Sequence, residues 1–138
     1  MTHLLDTHAW IQRAAGDALP TVATKTMQGF SNSLAIADIS IWEASKLVEV
    51  GKLELQIPLS EFYRLAITPE LSVLPITPAV AECAGTLESR GFHKDPADQL
   101  IVATALVHGL KLVTNDSRIH NWGGVPVIWK SEKPPKAK

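Results

Sequence analysis

Short apolar runs recur along the 138-residue chain, separated by longer stretches with helical spacing. Leu4-Leu5, continuing from His3 and closing at Asp6, has the length of a short buried strand, and His8 to Arg13 reads as a helix. Leu19 to Gly29 predicts a second helix, with Pro20 in its first turn and Gly29 as its stop. Ser33 to Ala37 is a second strand; Ser40 is placed to cap a helix that runs through Glu43, Lys46 and Leu47 to Val50 and stops at Gly51. Past a loop carrying Leu53, Leu55 and Ile57, a helix opens at Pro58 and Leu59 and reaches about Ala66. Leu71 to Pro75 predicts a third strand, and Thr77-Pro78 begins a helix with Val80, Cys83, Ala84 and Leu87 at i, i+3, i+4 and i+7.

The next helix is capped by Asp95, carries Pro96 at its first position and ends at Gly109. Its interior, Leu100 to Val107, is apolar on nearly every side, so more than one face should be covered. Leu110 to Thr114 is a fourth strand, Asp116 to Asn121 a short helix or turn, and Val125 to Trp129 a last strand. Strands alternating with helices predict an α/β fold in three layers, α/β/α, with a mainly parallel sheet of four to five strands. One domain is expected over residues 1–130 and a frayed tail over residues 131–138, where Ser-Glu-Lys-Pro-Pro-Lys-Ala-Lys breaks the pattern.

Composition narrows the classes without naming one. Hydrophobic residues make up 46% and charged residues 20%, enough apolar material for a core and too little charge for a disordered chain. Thirteen basic residues against fourteen acidic give a net charge of -1, which excludes a strongly basic nucleic-acid coat and an acidic solvating tail. Lys130, Lys133, Lys136 and Lys138 against Glu132 give the last nine residues a net +3, leaving the preceding 129 at -4. One cysteine, Cys83, excludes an intramolecular disulfide framework and any multi-thiolate metal site. No apolar run reaches a membrane-spanning length and Met1 to Asp6 has no leader pattern, so a soluble, cytoplasmic protein with no membrane association is expected.

In sheets of this class ligands bind outside the carboxyl ends of the strands. Asp6 follows the first strand, Asp116 follows the fourth, Glu43 falls in the first turn after the second, and Asp98 in the first turn after Asp95. Each has a structural explanation: Asp6 and Asp116 as helix caps, Ser40 and Glu43 as a capping box, Asp95 and Asp98 as cap and third helical position. Together they converge on one rim. Two unit charges about 4 Å apart repel by roughly 4 kcal/mol at an effective dielectric near 20, so such a cluster requires proton sharing, basic partners or divalent cations. Oxygen ligands suit Mg²⁺ or Mn²⁺, and such ions assist phosphodiester hydrolysis.

The same residues resemble the PIN-domain ribonucleases, and among them the VapC-type toxins of bacterial toxin–antitoxin pairs. The resemblance runs through Leu4-Leu5-Asp6-Thr7-His8, Ile39-Ser40-Ile41-Trp42-Glu43-Ala44 with Lys46 and Gly51-Lys52-Leu53, Asp95 to Ala105, and Leu112-Val113-Thr114-Asn115-Asp116. It implies a PIN-like fold and a site in which Asp6, Glu43, Asp98 and Asp116 hold one or two Mg²⁺ or Mn²⁺ ions, some through water. Water activated there would attack RNA in line, leaving a 3′-hydroxyl and a 5′-phosphate. Thr7 and Thr114 would support the site by orienting Asp6 and Asp116. Further implications are RNA as substrate (tRNA among the candidates), a small cognate antitoxin as inhibitor, and a homodimer. The chain departs from many members at Ala97, where they carry an aromatic residue, and at Gln99, where they carry Arg; the second removes a positive charge beside Asp98.

Lys46 lies one helical turn from Glu43 and is placed either to ground a substrate phosphate or to pair with Glu43 or Glu49. His8 and the other histidines show no metal-ligand spacing. Of the four tryptophans, Trp42 and Trp129 fall in core-facing patterns, whereas Trp10 is a candidate for base stacking or, with Ile11, Leu19 and Val22, for an apolar docking surface. The apolar girth of the helix after Asp95 and the number of tryptophans agree with dimerisation. The competing readings are a catalytically inactive PIN domain that binds protein or RNA, and a receiver or phosphatase on a similar sheet. A phosphatase of that kind wants Asp-x-Asp after the first strand, and position 8 is His; a receiver wants paired acids there, and Asp6 stands alone.

Overall fold

Three buried residues, His3–Leu5, form the first strand (β1), and Asp6 turns the chain into a helix at once. The computed structural model describes residues 1–130 and the strand residues 132–133. Parallel strands follow at Leu34–Ala37 (β2), Ser72–Leu74 (β3), Lys111–Val113 (β4) and Val127–Ile128 (β5). Glu132–Lys133 (β6) pairs antiparallel with β5, so one edge strand joins the five parallel ones. The tail expected to fray from Ser131 otherwise lies outside the described residues. The helices are Thr7–Ala15 (α1), Thr21–Gly29 (α2), Ile39–Glu49 (α3), Leu59–Ala66 (α4), Pro78–Leu87 (α5), Pro96–His108 (α6) and Ser117–Trp122 (α7).

The sheet order is β3-β2-β1-β4-β5-β6, with Leu4 between Ala35 and Leu112 and Leu5 between Ile36 and Val113. From β1 the chain moves outward through β2 to β3 on one side and then places β4 on the other, so the order reverses between β1 and β4. A crevice opens outside the strand ends at such a reversal. Strand side chains alternate between faces, and two cores result. Leu4, Ala35, Ala37 and Leu112 pack with α5 and α6 on one face; Leu5, Leu34, Ile36 and Val113 pack with residues of α1, α2, α3 and α4 on the other. These are the expected three layers, and each fully buried Leu or Ile contributes about 1.5–3 kcal/mol of apolar transfer.

Helix ends follow the chain's punctuation with two exceptions. Thr77 and Asp95 cap α5 and α6 through their side chains, each followed by proline. Pro20, expected inside α2, stands one position before it. Ser40 does not cap α3: the helix starts at Ile39, Asp38 precedes it without a side-chain cap bond, and Ser40 is buried inside the first turn. Glu43 is therefore two positions further in than expected, and no capping box forms.

Ile101 to Ala105 of α6 are all buried, by α5, α3 and the sheet, and only Val107 near its end is left exposed at 41%, so most of its apolar girth is covered within the chain and does not by itself call for a second copy. Trp10 and Ile11 do not form the docking surface expected around them. Both residues are buried, Leu19 and Val22 pack against the same core, and Trp10 Nε1 donates to the Ala66 carbonyl at 3.0 Å. Trp129 is in the core as expected, whereas Trp42 is 54% exposed, so the roles assigned to Trp10 and Trp42 are exchanged.

Candidate active site

The first residue beyond β1 sets the site. Asp6 caps α1, its Oδ1 accepting from the Ala9 amide at 2.8 Å, while Oδ2 accepts from Thr114 Oγ1 just past β4. Cap and site residue are thus the same side chain. It is 7% exposed, and burial raises its carboxyl from the usual 3.8 to about 6, even though both hydrogen bonds pull it down. Thr114 is fully buried and also accepts from the Asp116 amide at 3.0 Å, so one hydroxyl ties the ends of β1 and β4 to the start of α7.

Thr7 does not orient Asp6 as expected. Its hydroxyl donates to Glu43 Oε1 and lies 2.8 Å from Ser40 Oγ. With its one proton spent on Glu43, it must accept from the Ser40 hydroxyl. The chain Ser40–Thr7–Glu43 fixes a carboxylate from α3 beside α1. Burial raises the Glu43 carboxyl, with Asp98 and Asp95 adding repulsion against the pull of Thr7.

Asp95 is the α6 cap, its Oδ1 accepting from the Asp98 amide at 3.0 Å. Asp98 itself is raised chiefly by burial and then by Asp95 and Asp116, and its charge in turn raises Asp6 and Glu43. It is the hub at which the four acids feel one another. Two side chains answer it: the His93 imidazole through Nε2 at 2.7 Å and the Arg118 guanidinium through Nη2 at 3.3 Å from Oδ2. Arg118 also reaches Asp116 Oδ2 at 3.1 Å. Burial acts upward on Asp116 as its largest influence, but the Arg118 guanidinium and the Arg118 and Ile119 amides hold its carboxyl below the usual value.

These side chains surround a crevice of about 430 Å³, lined by Asp6, Thr7, Glu43, Asp95, Asp98 and Asp116 and by the cationic or imidazole groups of His8, Lys52 and Arg118. The four expected acids are thus brought to one cavity at the β1/β4 reversal. Lys46 is not among its lining residues; it lies in an adjoining depression. Among the described residues no three acids, imidazoles or thiols already meet at metal-ligand spacing. Sequence reasoning missed His93 and Arg118. The positive charge absent at Gln99 is restored beside Asp98 by Arg118 from α7, while Gln99 Nε2 donates to the His93 backbone carbonyl at 3.0 Å and ties down that loop. His120, also passed over, lies with Nε2 2.6 Å from the Thr114 carbonyl.

A buried sheet whose reversal point gathers acids from four separate segments defines an α/β protein with an acidic crevice at its strand ends. The PIN-domain family profile matches residues 3–124, and the chain belongs to that family. It is 37% identical over 121 residues to the Ribonuclease VapC22 of Mycobacterium tuberculosis, covering 87% of this chain and 91% of the relative. Among solved structures it resembles a toxin–antitoxin complex from Klebsiella pneumoniae (TM-score 0.67, 22% identity, 96% of this chain and 100% of that one). It also resembles FitAcB from Neisseria gonorrhoeae (TM-score 0.69, 22% identity, 92% and 96%).

Proposed function

We propose that this chain is a divalent-metal-dependent endoribonuclease of the toxin type, restrained by a small antitoxin protein. The observation that carries the reading is the convergence of Asp6, Glu43, Asp98 and Asp116 on the reversal-point crevice, in a chain 37% identical to a ribonuclease. The donor set fits a hard cation. Its ligands would be carboxylate oxygens, and Asp6, Glu43 and Asp98 are held above their usual pKa by burial and by one another, a shortage of positive charge that Mg²⁺ or Mn²⁺ would relieve. Asp6, Glu43, Asp98 and Asp116 would hold the ion or ions, some through water, and the ion would supply activation of water and neutralisation of charge developing on the phosphate.

The chain's own residues prepare that chemistry. Thr114 and the Ala9 amide lock the Asp6 carboxylate, Thr7 locks Glu43, and Arg118 spans Asp98 and Asp116. This is preorganisation of a charged site by hydrogen bonds and packing. Arg118, Lys52 and His8 line the crevice and would meet the phosphates of RNA, tRNA among the candidates, which a fold of net charge -4 would otherwise repel. The same acidic crevice suits a basic side chain of the antitoxin. In this reading the protein acts in the cytoplasm and as a homodimer, a state that light scattering checks directly.

The test is cleavage of total RNA and tRNA by the purified chain with Mg²⁺ or Mn²⁺ against EDTA. Cleavage is expected with metal, with a loss of about a hundredfold or more in Asp6→Asn and Asp98→Asn, the scale of a removed preorganised charge. Cleavage that persists in EDTA and in both variants would overturn the assignment of the site.

A further inference from the structure

Beside the acid crevice lies a second depression of about 240 Å³, and the two share Glu43, Leu47, Lys52 and Asp95. Its own walls come from Trp42, Val50, Pro96 and Ala97, with Lys46 alongside. Trp42 and Val50 are 54% and 58% exposed, large apolar groups that the core does not use. Helix α3 sets Trp42, Lys46 and Val50 at i, i+4 and i+8 on one face, immediately next to Glu43. The Lys46 ammonium stands 6.0 Å from the centre of the Trp42 ring, within cation–π range.

An exposed indole with an ammonium group beside its ring, in a groove that runs into the proposed phosphodiester site, is the combination that binds single-stranded nucleic acid without demanding a sequence. We propose that Trp42 is a stacking platform for an unpaired nucleobase flanking the scissile phosphodiester, with Lys46 and Lys52 neutralising neighbouring phosphates. The proposal rests on the ribonuclease reading and adds to it a subsite. The acid crevice holds the reacting phosphate, and the α3 groove holds the adjoining base. The groove's charged lining is balanced, Lys46 and Lys52 against Glu43 and Asp95, and both carboxylates stand on the rim shared with the acid crevice. The Lys46 ammonium beside the exposed indole and the groove's continuity with that crevice favour an RNA strand over an apolar peptide as the occupant.

The experiment uses the full chain, with a randomised pool of short single-stranded RNA as the probe and Asp98→Asn as a background that prevents turnover. RNA should quench tryptophan emission in that background. Trp42→Ala should remove the quench and weaken RNA binding about tenfold, and Trp42→Phe should lose the quench while keeping most of the affinity, because a phenyl face still stacks. In the active chain Trp42→Ala should raise KM for RNA about tenfold with a smaller change in kcat. Unchanged RNA affinity and quench in a Trp42→Ala chain with the parental circular dichroism and melting would overturn the subsite. So would a loss confined to binding of an inhibitory protein, which would make the groove a protein-docking face. If the parental chain cleaves no RNA at all, the ribonuclease reading fails, and a Trp42-dependent quench would still establish the stacking platform.

Discussion

Thr114 carries more of the site than its size suggests. Its hydroxyl donates to Asp6 Oδ2 and accepts from the Asp116 amide, so two acids take their positions from one oxygen. Thr114→Val keeps the shape and strands both partners in a buried setting, at a cost of about 1–3 kcal/mol. We expect a lower urea midpoint with unchanged slope and a drop in RNA cleavage of tenfold or more, both largely recovered in Thr114→Ser; equal behaviour of the two variants would deny the hydroxyl its role. The acids were legible in the sequence because each follows a strand or opens a helix, and those positions can be read from local pattern. The Arg118–Asp98 and Thr7–Glu43 contacts were not, because each closes between elements that only tertiary packing brings together, and His93, only five residues from Asp98, stands in a loop with no periodic pattern to orient it. Position on a strand end finds the carboxylates, whereas the partner that Asp98 takes from α7 emerges only when the elements pack.

At the scale of elements, α6 shows why a helix could be read well and its neighbour α3 less so. Asp95, Pro96 and Gly109 mark both ends of α6, and the Asp95 side chain does cap the Asp98 amide while the backbone turns left-handed at Gly109. Asp95→Ala should cost about 1 kcal/mol of stability through the lost cap. It should also loosen the first turn that holds Asp98, so cleavage should fall further than the stability loss alone explains; urea titration and kcat measured on the same samples separate the two. In α3 the apolar residues Ile39, Ile41, Trp42, Ala44, Leu47 and Val48 cover more than one face. Periodicity therefore could not decide whether Trp42 lay at the centre or the edge of the stripe, and it lies at the edge. Trp10 was the mirror case: α1 presses against the sheet, where Phe62 meets its ring edge-on at 5.7 Å, and no room is left for a base.

For the whole molecule, the strand order is what converts scattered acids into a site, and alternation of strands and helices does not specify that order. It is set by the return of the chain across β1 to place β4, which puts Asp6 and Thr114 side by side. The charge gathered there has a consequence for stability. Asp6 ionises near pH 6 in the folded chain against 3.8 as its usual value, and Glu43 and Asp98 shift in the same direction. A raised carboxyl favours the protonated folded state, so this contribution is fully present below about pH 4 and is lost as pH rises through about 6; for Asp6 alone it amounts to about 3 kcal/mol at most. Asp116, held low, acts in the opposite sense but is less buried and weakly coupled to folding. In EDTA, Asp6→Asn should therefore gain on the parental chain as pH rises from 5 to 7.5. The asparagine is never charged, and the Thr114 bond, which favours the ionised carboxylate, is already contained in the folded value of about 6. Divalent cations bind the ionised acids, so Mn²⁺ should raise the melting temperature of the parental chain more at pH 7.5 than at pH 5 and do little for Asp6→Asn. Melting curves of both chains across that range, with EDTA and with Mn²⁺, decide the matter: a difference between them that does not vary with pH would mean that Asp6 is not the buried charge that the divalent ion relieves.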